Sequence, residues 1–328
     1  MWQSAQSRTD DERRGVQDGG APASVLGAAS PSQDVLFAYL AQEVLAAQPD
    51  EIQSFLLRTS VLAELAPATC DRVLGVGESA ERLRGLYRRG LFLTAIGADQ
   101  YRYHPLFHAF LQQRGRATLP EWAELHARAA AYYREVGAGE SVLYHLSAMG
   151  DSDGVAAELA RLAQSWIDEG RSITLIDWLD HLPPAALVAH PGLLVARGDA
   201  ERLLARFEDA LKSYAAAENR YAALHDLAGQ SRALKGQAQI YLDTVRPAPA
   251  TELLRRAYKL LPPDQLGARV AILRRIAENR LNGGNPGQAL RLYRLAERMS
   301  GEPQTDPRVF LRLGQLNEAR EFLERQLN

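Results

Sequence analysis

Cysteine is nearly absent from this chain. Cys70 is the only one among 328 residues. A lone thiol excludes an internal disulfide, and the lack of a cysteine cluster excludes zinc ribbons and fingers. No apolar run approaches the ~20 residues that a membrane span needs. The polar, charged stretch from Met1 to Asp18 has no apolar signal core. An excess of one charge sign is missing too. Lys and Arg number 38 against 40 for Asp and Glu, a net charge of -2, which excludes the whole-chain polycation typical of non-specific nucleic-acid binders. These absences describe a cytoplasmic-type chain. What is present is an ordinary globular balance, with 46% hydrophobic and 24% charged residues. At about 150 residues per domain, the length suits about two domains.

Residues 1–33 mix Ser, Gly, Asp, Gln and Arg without sustained periodicity and read as disordered. From Asp34 the stretch Val35 to Leu45 has apolar residues at helical spacing. Pro49-Asp50-Glu51 opens a second helix, with Ile52, Phe55, Leu56 and Val61 on its apolar side. Pro67 begins a third helix, containing Cys70, Val73 and Leu74, which Gly75-Val76-Gly77 breaks. A fourth runs from about Glu78 to Arg89, with Leu83, Leu86 and Tyr87 inward and Gly90 as cap. The texture then changes. Leu91–Ile96 and Tyr101–His104 read as two strands around the turn Gly97-Ala98-Asp99-Gln100, and Pro105 starts a helix carrying Leu106, Phe107, Phe110 and Leu111. Helices followed by such a hairpin make a winged helix, assigned to 34–118. Residues 119–190 read as short helices near 121–136, 140–149, 153–168 and 172–182, and 191–328 as Ala-rich helix pairs.

The helix pairs repeat. Ala210, Ala250, Ala289 and Ala319 act as anchors spaced 40, 39 and 30 residues apart. Seven residues after the first three come Ala217, Ala257 and Ala296; four after all of them come Tyr214, Leu254, Tyr293 and Leu323. Twelve before come Gly198, Ala238 and Ala277, while the fourth unit departs with Pro307. Small residues let paired helices approach closely. The larger residue between them fills space against the next unit, so that stacking buries faces that no single pair could bury.

Catalytic signatures are missing. There is no Gly-x-x-x-x-Gly-Lys-Ser/Thr, Gly-x-Ser-x-Gly, His-Glu-x-x-His or dinucleotide fingerprint, and Gly75-Val76-Gly77 reads as a turn. The carboxylates lie among arginines, as on solvated helix faces. His104 and His108 have the i,i+4 spacing of metal ligands, but Pro105 puts His104 at a strand-to-helix junction with no third ligand near. His145 and His181 read as partly buried on helix faces. No cofactor and no metal is expected.

Several blocks resemble the MalT-like large LuxR-type regulators. They include Tyr39-Leu40-Ala41-Gln42-Glu43-Val44-Leu45, Phe55–Leu62, Gly90–Leu93 and, most specifically, Tyr101-Arg102-Tyr103-His104-Pro105-Leu106-Phe107-His108-Ala109-Phe110-Leu111. The similarity continues through Leu125–Ala130, Gly150-Asp151, Trp178-Leu179 and Leu182-Pro183. Members of that family are signal-transduction ATPases with a nucleotide-binding domain, a winged helix, a tetratricopeptide-like sensor array and a DNA-binding helix-turn-helix. The resemblance covers the middle two modules over 34–328, as in a fragment of a longer regulator or a reduced relative. It implies a mainly α fold, a winged helix followed by a tetratricopeptide-like α-superhelical repeat array, and a binding role rather than an enzymatic one. His104 matches a histidine that helps hold nucleotide in the family, although no Walker lysine accompanies it here.

In such an array the first helix of each pair lines the concave face. Counting from the anchors places Val195, Asp199 and Arg202, then Arg232, Lys235 and Gln239, then Ala271, Arg274 and Glu278 on that face. Four cations against two anions make it locally positive and suited to an acidic protein or a small anionic ligand. A nucleotide-binding domain is a further possible partner. The rival reading is a DNA-binding winged helix contacting phosphate through Arg82, Arg84, Arg88 and Arg89, although direct DNA binding is not expected.

Overall fold

The computed structural model of the chain describes residues 41–303 and 305–315. The expected disorder over 1–33, the helical start at Asp34, and the fourth-unit positions Ala319 and Leu323 lie outside the described residues. These fall into two compact units. One comprises the residues up to Pro67 together with Glu78–Leu119; the other comprises Ala68–Gly77 together with the residues from Pro120 onward.

The first unit begins with helical residues 41–46, then α1 (Asp50–Thr59), whose first turn holds the expected acidic pair Asp50 and Glu51. Pro67 opens α2 (Pro67–Leu74), whose residues from Ala68 belong to the second unit. After the left-handed Gly75 (φ 68°) comes α3 (Ser79–Arg88), with Leu83 and Leu86 buried. Tyr87, expected inward, is 46% exposed. Its ring leans on Tyr101 at 5.6 Å from outside. Strands β1 (Leu93–Gly97) and β2 (Gln100–Tyr103) pair antiparallel, with a bulge between Ala95 and Gly97 and Asp99 left-handed in the turn. Leu65 adds a bridge to Tyr101. Pro105 stands at the start of α4 (Pro105–Thr118). The wing is fastened to this helix by aromatic rings: Tyr103 meets Phe107 edge-on at 5.9 Å, Phe92 meets Phe107 at 5.0 Å, and the buried Tyr103 hydroxyl lies 2.7 Å from Thr59 Oγ1.

In the second unit, α2 joins the helical series. Its Thr69 hydroxyl donates to Tyr132. The series runs α5 (Trp122–Glu135), α6 (Gly139–Ala148), α7 (Ser152–Asp168), α8 (Ser172–Asp180), α9 (Pro184–Ala189) and α10 (Pro191–Leu203). It continues with α11 (Phe207–Ala223), α12 (Leu227–Asp243), α13 (Pro247–Leu260), α14 (Leu266–Asn282), α15 (Pro286–Ser300) and α16 (Arg308–Arg312). Left-handed glycines at 137, 150 and 170 turn the chain between α5, α6, α7 and α8. Asp151 and Asp226 cap α7 and α12 by accepting from Gly154 and Gly229 N–H.

The helix pairs are α10–α11, α12–α13 and α14–α15, and consecutive helices pack face to face. Every repeat position assigned by spacing within them is buried: Ala210, Ala217, Ala250, Ala257, Ala289 and Ala296, then Tyr214, Leu254 and Tyr293, then Gly198, Ala238 and Ala277. Each pair turns through one left-handed residue five before its anchor: Ala205, Val245 and Gly284. Among the described residues, no helix is long and apolar enough to cross a membrane.

Candidate functional site

Helices α10, α12 and α14 carry the nine positions expected on the concave face. The structure gathers five of the nine positions expected on the concave face around one cavity of about 270 Å3: Lys235, Gln239, Ala271, Arg274 and Glu278. Leu242 and Leu254 form its apolar side, and Arg275, not anticipated from the sequence, completes the polar rim. A second cavity of about 390 Å3 shares Gln239, Leu242, Arg275 and Glu278 with the first and continues along Arg246 and Asn282.

The remaining positions differ. Val195 is buried and packs with Tyr214 in the core of the first pair, so it does not face the trough. Its spacing matches that of Lys235, but an apolar side chain at this register turns down to the neighbouring ring. Arg202 is held by Asp243 at 2.9 Å, and Glu278 by Arg275 at 3.1 Å. Asp199 accepts the Tyr214 hydroxyl at 2.6 Å. Arg232, Lys235 and Arg274 make no hydrogen bond or ion pair among the described residues. Of these three, Lys235 and Arg274 line the cavity, and Asp199 acts on Arg232 and Lys235 through space.

The titration behaviour agrees. Partial desolvation in the trough lowers the Lys235 ammonium from its ordinary value, and Arg232 and Arg275 add to this against Asp199. Burial pushes the Asp199 carboxyl upward, opposed by the Tyr214 hydrogen bond and by Arg202, Lys235 and Arg232. Burial and Asp199 together raise the Tyr214 phenol. An added anion would relieve the repulsion among the cations.

The other sequence candidates lie apart from this trough. His104 is exposed as the residue capping α4, and its backbone carbonyl accepts from His108 N–H. His108 turns inward, its Nε2 at 2.7 Å from the Ser60 carbonyl oxygen, and burial lowers its pKa. The two imidazoles therefore do not converge, and no cluster of three metal-binding side chains occurs among the described residues. On α3, Arg82 lies over the Phe55 ring and Arg84 bonds the Ala80 carbonyl, while Arg84, Arg88 and Arg89 are exposed. Burial drives the Cys70 thiol up to about 12, so it carries no thiolate chemistry at neutral pH.

Two histidine expectations change. His181 is exposed, its Nδ1 at 2.6 Å from the Asp177 carbonyl oxygen. His145 is fully buried and its Nδ1 lies 2.9 Å from Nδ1 of His126, a partner on α5 that nothing in the sequence singled out.

The MalT winged helix domain matches residues 41–123. The chain is 28% identical over 275 residues to the HTH-type transcriptional regulator MalT of Yersinia enterocolitica, which is 80% of this chain and 30% of that protein. It is 28% identical over 279 residues to that of Serratia proteamaculans, 81% and 30% of the two chains. It thus spans about 30% of the length of these relatives. A STAND protein with a tetratricopeptide repeat sensor from Pyrococcus horikoshii superposes with a TM-score of 0.45 at 16% identity, covering 88% of this chain and 52% of that one. The chain therefore has a MalT-type winged helix and is similar to MalT regulators across most of its length.

Proposed function

We propose that this chain is the ligand-sensing part of a MalT-like transcription regulator. Residues 34–118 form its winged helix, 119–190 a helical linker, and 191–328 a tetratricopeptide-like array whose concave face captures an acidic protein partner or a small anionic ligand. The array works by binding, not by catalysis, and the winged helix relays its occupancy. The observation that carries this reading is that Lys235 and Arg274 line the cavity, with Arg232 exposed one turn before Lys235, and that none of the three is held in a hydrogen bond or ion pair among the described residues. Concave cationic surfaces concentrate potential and draw anions in. In the regulator setting, His104 at the start of α4 is the position for contact with a phosphate held by a nucleotide-binding domain.

The test is anisotropy of a labelled glutamate-rich peptide. The wild type is expected to bind it in a salt-sensitive manner. Arg232→Ala/Lys235→Ala/Arg274→Ala is expected to lose binding at least tenfold without much change in melting temperature, because all three side chains are exposed. Equal affinity in the two proteins would overturn the assignment.

A further inference from the structure

The trough owes its main cavity to one departure in the repeat. Four residues after the anchors Ala210, Ala250 and Ala289 stand the buried side chains of Tyr214, Leu254 and Tyr293. In the first pair the Tyr214 ring lies so close to Gly198 and Gly236 that a Cβ at either would come within 2.7 or 2.2 Å of it. Its hydroxyl reaches Asp199, and α10 and α12 pack directly.

One unit further on, three positions change together. Leu254 replaces the ring, Gln239 stands at the Asp199 position, and Arg275 stands at the Gly236 position. Inner helices α12 and α14 make no packing contact comparable to that of α10 and α12, and the 270 Å3 cavity lies between them. In the third pair a tyrosine returns, and Tyr293 is fully buried. Among the three described pairs, the cavity thus lies at the one that has leucine instead of a ring at this position.

Its walls are of two kinds. Leu242, Leu254 and Ala271 are apolar, and Lys235 and Arg274 bring positive charge that no ion pair holds to the rim, whereas Arg275 is taken by Glu278. The volume lies just below the ~300–1,000 Å3 of pockets for drug-sized ligands. It therefore suits a single compact body with one charged end.

We propose that this cavity binds a small aromatic carboxylate. Its ring takes the place left by the missing tyrosine, against Leu254, and its carboxylate lies between Lys235 and Arg274. This deepens the anion-capture reading above and rests on it.

The experiment titrates benzoate and phenylacetate into the full chain by calorimetry. Acetate serves as an anion without a ring, and benzyl alcohol as a ring without charge. The aromatic carboxylates are expected to bind at least tenfold more tightly than either control. Leu254→Tyr puts a ring into the slot, against Ala238 and Arg275 where the first unit has Gly198 and Gly236, and is expected to abolish this preference with a lowered melting temperature. If Leu254→Tyr does not fold, Ala271→Leu obstructs the cavity from an exposed position and is expected to weaken benzoate at least tenfold. Benzoate binding no better than acetate, or unchanged in both variants, would overturn the proposal. If the glutamate-rich peptide is still lost in the triple alanine variant while benzoate shows no preference, the anion trough stands and the ring slot falls. Loss of neither ligand in that variant removes the trough itself.

Discussion

The buried imidazoles of His126 and His145 face each other through their Nδ1 atoms at 2.9 Å. At that distance one ring donates and the other accepts, so an added proton would have to sit on an Nε2, and that of His126 is buried with no hydrogen-bond partner among the described residues. Trp122 meets His126 edge-on at 4.8 Å, and Tyr133 stacks on His145 at 5.4 Å, so the surroundings are aromatic and dry. Burial lowers His126 to about 4, and burial together with the neighbouring His126 lowers His145 to about 3. Above the ordinary histidine pKa of about 6.5, both rings are neutral folded and unfolded, and they impose no pH dependence. Below it the unfolded chain takes up protons that the folded one refuses, so stability falls as pH drops from about 6.5 toward about 4. His108 contributes in the same direction. The expected slope is at most about 1.4 kcal/mol per pH unit for each ring. Urea melts at pH 7, 6 and 5 measure it, and His126→Asn/His145→Asn should flatten the curve. A midpoint independent of pH over that range would contradict the buried pair.

At the scale of helices, the register of the array rests on alanines. Ala257 is wholly buried in the cluster with Leu234, Ala238, Leu254 and Ile276. Ala257→Leu adds volume to filled space and should cost about 1–3 kcal/mol. Its neighbour Arg256 is exposed and pairs with Glu218 at 2.7 Å. Exposed pairs contribute about 0–1 kcal/mol, so Arg256→Ala should be nearly silent. Equal shifts in melting temperature would count against the register. These buried alanines, the hairpin and the helix boundaries were legible because each is written locally, in spacing and turn residues. The wiring of the trough was not. Arg202 finds Asp243 across 41 residues. Such choices depend on which turn of one inner helix faces which turn of the next. The same limit hid the His126–His145 contact, left Val195 on the wrong face and turned Tyr87 inward. In each case the i,i+4 pattern was right, but the direction of one side chain was decided by a neighbouring element.

Across the whole chain the formal charges nearly cancel, at -2, so anion binding depends on where the cations are placed. Two places compete for a nucleotide: His104, exposed at the start of α4, and the trough. The first lacks what phosphate binding requires, because no Gly-x-x-x-x-Gly-Lys occurs to supply a backbone cradle and a lysine for the terminal phosphates. The second has exposed cations but no magnesium-binding group of three carboxylate, histidine or cysteine side chains among the described residues. The chain is therefore expected not to hydrolyse ATP. Any association should be weak, should fade as the screening length shrinks from about 10 Å at 0.1 M salt to about 3 Å at 1 M, and should vanish in Arg232→Ala/Lys235→Ala/Arg274→Ala. Calorimetry at the two salt concentrations decides between the places. Stoichiometric ATP binding that survives 1 M salt (on the order of the concentration at which exposed charges are screened) and is lost in His104→Ala would make His104 a working nucleotide contact of this chain on its own. Salt-sensitive binding that His104→Ala leaves untouched would assign the anion to the trough.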